Sequence, residues 1–322
     1  MSKQSLLRLA QADWFGPLVV TLAAIAIIRG FSPDFLSPYN IQTLLIALAI
    51  NALIAFSQMI IIAIGQMNLS VGAIGGLAAI AFAGMMQVWH LPVALAAILS
   101  LLIGIFCGAL NGALISATGI SAFVITLATL AIYKGINLGI TQAQPFYGIA
   151  ASVKHFGNAA LFGLIPMLAV PTAIIAVALW FLLTRLPIGR FILAVGGNEH
   201  AASLSGISVR SVVILAHAIS GFLAACAGML LVARLQLGQP SIGDDWLILS
   251  FAAPVIGGAV LSGGHVSVVT TLLGVAMVAL ITQALVVFSI DPFLVQVVLG
   301  LLILAAVGIN RLRETHLIAR RA

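Results

Sequence analysis

Residues 91–116, LPVALAAILSLLIGIFCGALNGALIS, run for 26 positions without one charged side chain. Coiled at about 1.5 Å per residue, the stretch makes a helix ~39 Å long, more than the ~30 Å hydrocarbon core of a bilayer. Gly104, Gly108 and Gly112 recur every four residues, so one side of this helix is a smooth stripe on which a neighbour can pack closely. Asn111 sits beside the stripe. An amide in hydrocarbon needs a hydrogen-bond partner, so this face is expected to meet protein or a wet cavity. The rest of the chain has the same character: 63% of its 322 residues are hydrophobic, 6% are charged and the mean hydropathy is +1.27. That composition excludes a soluble globule, which needs far more polar surface. Aromatics are few, 31 glycines are spread through apolar runs, and no ten-residue segments alternate with period two, which favours helices over a β-barrel. The expected fold is all-α, a polytopic transmembrane helical bundle forming a single domain over 1–322.

Runs bounded by Gly, Pro, Asn or charge give about ten membrane segments, at 14–31, 41–64, 69–88, 91–116, 121–140, 160–183, 211–232, 246–262, 266–288 and 291–309. The eighth, 246–262, is short and broken by Pro254 and Gly257-Gly258, and a re-entrant half-helix would fit it equally well. The first opens at Trp14 without a cleavage pattern, so it is expected to be retained. If all ten cross with both termini cytoplasmic, Lys3, Arg8, Arg185, Arg190, Arg210, Arg311, Arg313, Arg320 and Arg321 share the inner side; Arg29, Lys154, Arg234 and Lys134 do not. Removing the eighth crossing would move the C-terminal arginines outside, so the charge bias favours ten. The net charge of +6 is dispersed over loop ends with no aromatic-interleaved basic run, which points to membrane lipid and orientation and to no nucleic acid. Gly65–Gly72 and Gly257–Gly264 share the pattern G-x-x-x-L-S-x-G, a hint of duplicated halves.

The basic loop 184–210 carries a complete local grammar for a short helix. Asn198 can cap it, Glu199 lies in the first turn where the dipole favours an acid, and Gly206 can close it. About two turns result, with Ala201, Ala202, Leu204 and Ile207 forming a small apolar face. A surface connector is one reading of this loop; a docking surface for another protein is the sharper one.

Neutral polar side chains recur inside the spans: Asn51 and Gln58 seven apart, Gln66 and Asn68 at the end of that run, Asn111, Thr126, Thr129, Asn137 and Gln283. One by one they read as interhelical bonds. Together they can line a hydrophilic path for a small neutral solute with many hydroxyls. No acid falls in the interior of a span, and Lys134 is the one cation there, so the carboxylate relay of an ion-driven carrier is missing. No lysine follows a glycine, so there is no phosphate cradle, and energy for active transport would have to enter through another protein. The six histidines lack metal-ligand spacing and no catalytic grouping assembles, so neither a metal site nor an enzymatic activity is expected. Cys107 and Cys226 lie in apolar stretches and read as small hydrophobes. A self-contained secondary transporter or facilitator for a small neutral polar solute, and a membrane scaffold without flux, remain competing readings.

Five blocks in order resemble the membrane permeases of ribose-type, or carbohydrate-uptake, ATP-binding-cassette importers: Gly65–Gly72, Gly104–Gly112, Phe123–Leu127 followed by Gly135, Gly196–Ile207, and Val255–Gly264. The similarity covers nearly the whole chain. It implies a single permease domain in a bacterial inner (plasma) membrane, working as a homodimer or heterodimer with a second permease copy or paralogue. It further implies a cytoplasmic ATPase pair that carries the ATP and Mg, a periplasmic or lipid-anchored sugar-binding protein, and a pentose such as ribose, or a related sugar or polyol, as solute. In such importers a loop helix fits a groove of the ATPase, which makes Gly197, Asn198, Glu199, Ala202, Ser205 and Gly206 the expected coupling residues. The chain departs from the family pattern at Gln66, Met67 and Asn68, where the family has Gly, an aliphatic residue and an acid. Ala122 stands where proline commonly does, and His265 where arginine often does.

Overall fold

The computed structural model describes residues 14–288 and scattered positions between 291 and 308. The span expected at 291–309, Lys3, Arg8 and the four C-terminal arginines lie outside the described residues, apart from isolated backbone positions of that span. The described elements are α1 Phe15–Phe31, a 3₁₀ turn Pro33–Leu36, α2 Pro38–Ala63, α3 Val71–Gln87, α4 Val93–Thr118, α5 Ala122–Thr141 and α6 Ala151–Asn158. A two-residue hairpin follows, β1 Ala160–Leu161 antiparallel to β2 Ile165–Pro166. Then come α7 Ala169–Arg185, α8 Pro187–Gly197, α9 Glu199–Leu204, α10 Val209–Leu235, α11 Trp246–Ile256 and α12 Val268–Val287. α2, α4, α5, α10 and α12 are each long and apolar enough to cross a membrane; α7 and α8 qualify together, bent by 71° at Pro187, and α1, α3 and α11 are shorter apolar helices. The protein is an all-α, multi-pass membrane bundle.

α2 occupies the centre. Every residue from Ala52 to Ile64 is buried, as a helix must be when it is apolar all round. α7, α10, α11 and α12 pack around it, and α3 adds contacts to α4, α5 and α10. Where the chain turns into a helix, short polar side chains close the open N–H groups: Ser37 for α2, Ser208 for α10 and Ser267 for α12 each accept from the backbone three residues on.

The closest helix pair is α4 with α10. The buried positions of α4 (Ala96, Ser100, Gly104, Cys107, Gly108, Asn111, Gly112, Ile115) fall on one face, and Gly221 lies opposite. A Cβ at Gly104 would stand 2.5 Å from both Ala225 Cβ and the Gly221 carbonyl oxygen, and one at Gly112 would stand 2.6 Å from Ile214 Cα. Such close backbone approach supplies van der Waals contact that apolar area cannot, because lipid tails solvate apolar side chains as well as protein does.

The 246–262 segment is short and broken as its sequence suggests: it is helical only to Ile256, after which Gly258, Gly263 and Gly264 turn the chain at positive φ. Two stretches differ from the sequence reading. Helix in the span expected at 160–183 begins only at Ala169, because Phe162 and Gly163 take positive φ in the hairpin turn. Residues 236–245, assigned to a loop outside the spans, run back along α3, where Trp246 Cβ would come within 3.3 Å of a Cβ at Gly72.

Replacing Gly108 by Leu must part α4 from α10, since its Cβ would enter the His217 carbonyl. A loss of about 1–3 kcal/mol is expected, read as a lower thermal midpoint of the purified protein in detergent. Gly16→Ala, where nothing lies within 4 Å, should leave that midpoint unchanged or slightly raised.

Candidate functional site

Between α2 and α3 the chain leaves helical geometry for residues 64–70, and from Asn68 to Ser70 it does so inside the bundle, while Gly65 and Met67 are exposed. Asn111, which bonds to this stretch, lies seven residues before the end of α4, and Ser220, which also does, lies eleven residues into α10, hence ~10–17 Å in from those helix ends. Non-helical backbone at such depth must find its hydrogen bonds in protein.

Side chains from four helices supply them. With its amide oriented to suit both partners, Gln58 donates to the Asn68 carbonyl at 3.0 Å and accepts from the Asn68 N–H at 3.2 Å. Asn68 Oδ1 accepts from Ser70 N at 3.0 Å and from Ser70 Oγ at 2.7 Å, while its Nδ2 donates to Ser220 Oγ at 3.3 Å. Asn111 Nδ2 donates to Ser70 Oγ at 2.8 Å, and the Tyr133 hydroxyl lies 3.1 Å from Asn111 Oδ1 and 3.0 Å from the Cys107 carbonyl oxygen. Thr126 Oγ1 accepts from Leu69 N at 3.0 Å, and Gln66 Oε1 lies 3.0 Å from His217 Nε2. Thus Gln58, Asn68, Asn111 and Thr126 are gathered at one place, fully buried, with their polar atoms turned to one another and to the break. Asn137 is apart from them on α5, donating to the Pro240 carbonyl at 3.2 Å. Asn51 and Gln283 are half-buried and, among the described residues, bond to none of these groups. The sequence reading missed Ser70, Tyr133 and Ser220; serine two residues after Asn68 is the spacing of a local side-chain turn, and is the one signal that was available.

The two G-x-x-x-L-S-x-G segments touch. Gly264 N donates to the Ala63 carbonyl at 3.1 Å. A Cβ at Gly65 would lie 2.9 Å from the Ser262 carbonyl oxygen, and one at Gly263 would lie 2.6 Å from Gly65 N and 2.7 Å from the Gly196 carbonyl oxygen. Gly196 and Gly197, the last turn of α8, therefore rest backbone to backbone on the junction of both segments. α9 projects from that support. Asn198 Oδ1 caps it through Ala201 N at 2.9 Å, Ser205 Oγ donates to the Ala201 carbonyl at 2.9 Å, and Gly206 closes it at φ +82°. Of the apolar face expected here, Ala202 is buried and Ile207 half-buried, whereas Ala201 and Leu204 are exposed, Leu204 at 76%. Glu199 also faces a cavity of ≈ 630 Å³, shared with Gln66, Met67, Ser116, Phe123 and Arg210, directly below the break between α2 and α3.

Among the described residues no cluster of three or more His, Cys, Asp or Glu is placed to hold a metal. Asn68→Ala strips partners from Ser70 and Ser220 at once, and unpaired buried groups cost about 1–3 kcal/mol. We expect a clear drop in thermal midpoint for that variant and a small one for Asn51→Ala, measured side by side in detergent.

Residues 40–307 match the family described as the branched-chain amino acid transport system, permease component. The ribose import permease protein of Bacillus subtilis (strain 168) is 38% identical over 298 residues, which is 92% of each chain. The D-allose transport system permease protein of Escherichia coli (strain K12) is 34% identical over 301 residues, 93% of this chain and 92% of that one. The fructose import permease protein of Rhizobium meliloti is 30% identical over 306 residues, 91% of this chain and 83% of that one. No solved structure matches. A bundle built on a broken, internally bonded pair of central helices, matched over nearly its whole length by import permeases, is a transport subunit: the chain belongs to the family of transport-system permease components.

Proposed function

We propose that this chain is the membrane-spanning permease subunit of an ATP-binding-cassette importer for a sugar, a pentose such as ribose or a related sugar or polyol. It works in a bacterial inner membrane with α9 and both termini on the cytoplasmic side. The relatives matched end to end carry the names of ribose, allose and fructose, and the polar groups inside the spans are almost all uncharged, which suits neutral solutes. A separate ATPase binds the ATP and Mg, a second permease completes the path, and a periplasmic or lipid-anchored binding protein delivers the solute.

The observation that carries the coupling role is the support under α9. Gly196 and Gly197 lie on Ala63, Gly65 and Gly263–Gly264, so a push on the exposed Glu199–Leu204 surface reaches both non-helical segments through rigid backbone contact. Gly196 permits the close approach, Gly197 lies against Gly264, Gly206 makes the turn, Asn198 and Ser205 hold the ends of the helix, Ala202 seats it, and Glu199 meets the ATPase at the cavity mouth. Alternate opening of the cavity then follows from rocking of packed helices around the junction.

In proteoliposomes holding the complete importer, Glu199→Arg or a two-residue insertion after Ser203 is expected to lower ATP-driven uptake at least about tenfold with the permease still in the membrane. Unchanged uptake in both variants overturns the assignment of α9. Uptake by vesicles containing this chain alone would instead make it a self-contained carrier.

A further inference from the structure

By sequence Lys134 is the one cation inside the spans, and Asp244 falls between the expected spans 211–232 and 246–262. The fold brings them together: Lys134 Nζ forms an ion pair with Asp244 Oδ1 and donates to the Pro240 carbonyl at 2.9 Å. Lys134 lies inside the membrane-spanning helix α5. Lys134 stands twelve residues into α5 and seven from its end, ~18 Å and ~10 Å respectively. Asp244 follows Gly243, whose backbone abuts Gly72 at the start of α3, just past the break at 64–70.

At that depth the pair is not enclosed. The Lys134 side chain is 26% exposed and that of Asp244 53%, and Asp245 is exposed beside it. A carboxylate on the outer surface of a bundle alongside the interior of a membrane-spanning helix cannot face lipid tails; charged groups there border water or protein. The neighbouring surface of α5 presents Ala128, Ala131, Gly135 and Gly139, all exposed, and a Cβ at Gly135 or Gly139 would meet nothing within 4 Å. This face also exposes Val124, Leu127 and Leu138, and its charges, Lys134, Asp244 and Asp245, are gathered at one place.

We propose that the Lys134–Asp244 pair lines the aqueous path on this face and holds a neutral polyhydroxylated solute in passage, Asp244 accepting from adjacent hydroxyls and Lys134 donating to another. The inference deepens the importer reading and rests on it for the class of solute. An ion pair suits that task because Lys134 offsets Asp244 and leaves Asp245 alone uncompensated beside it: the pair offers a neutral molecule a strong acceptor and a strong donor. The amides of Gln58, Asn68 and Asn111 are committed to the backbone break, whereas this pair has surface to offer.

The test uses membrane vesicles carrying the complete importer. Asp245→Cys places one accessible thiol beside the pair, since Cys107 and Cys226 are buried. A charged, membrane-impermeant thiosulfonate should modify it, and ribose, allose or fructose should slow that reaction several-fold. Asp244→Asn should raise the half-saturating solute concentration for uptake about tenfold or more, a larger effect than on the maximal rate. Modification by a lipid-soluble maleimide alone, or by the charged reagent with no protection by any of the three sugars, overturns the proposal. So does full recovery of the half-saturating concentration in the charge-swapped double variant Lys134→Asp, Asp244→Lys, which would leave the pair a structural tie. Labelling does not need ATP hydrolysis, so protected labelling with no ATP-driven uptake would sink the importer reading while sparing the site.

Discussion

Inside a bilayer every backbone N–H and C=O must bond within the protein, and here the chain breaks that economy of the helix at residues 64–70. The side chains of Gln58, Asn68, Ser70, Asn111, Thr126, Tyr133, His217 and Ser220 exist in this arrangement because the break needs them. Apart from Asn68 and Ser70 of the break itself, they come from α2, α4, α5 and α10, so satisfying one short segment ties four helices at a single level. The close contact of α4 with α10 is part of the same requirement, because Asn111 reaches Ser70 only when the glycine stripe lets the backbones approach.

A break held in this way is also a mechanical joint. Helices on either side of residues 64–70 can tilt without losing their own ladders, and the contact of Gly65 with Ser262 and Gly263 links this joint to its counterpart at 257–264. The turn of α8 at Gly196 and Gly197 sits where the two meet. Movement of α9 therefore has a short, stiff route to the centre of the bundle, and the cavity lined by Glu199 and Gln66 lies along it. The Lys134–Asp244 pair stands on a different side of α3, toward the open face of α5. The proposed coupling and solute contacts thus fall on separate surfaces of one central pair of helices.

Much of this was legible in the residues. Hydrophobic length determined the membrane bundle, the four-residue glycine spacing marked the face that packs closely, and the Asn198-Glu199 to Gly206 grammar marked α9, because each depends only on neighbours along a helix. Resemblance in five ordered blocks led to the permease family. Tertiary structure alone decided what the polar residues do. Gln58, Asn68 and Asn111 look alike as path-lining or as packing amides until the break they serve is in place, since a hydrogen-bond partner far along the chain leaves no periodic trace. Asp244 was hidden for a related reason: span scanning recognises helical length, and residues 236–245 enter the membrane as non-helical chain whose backbone is covered by α3.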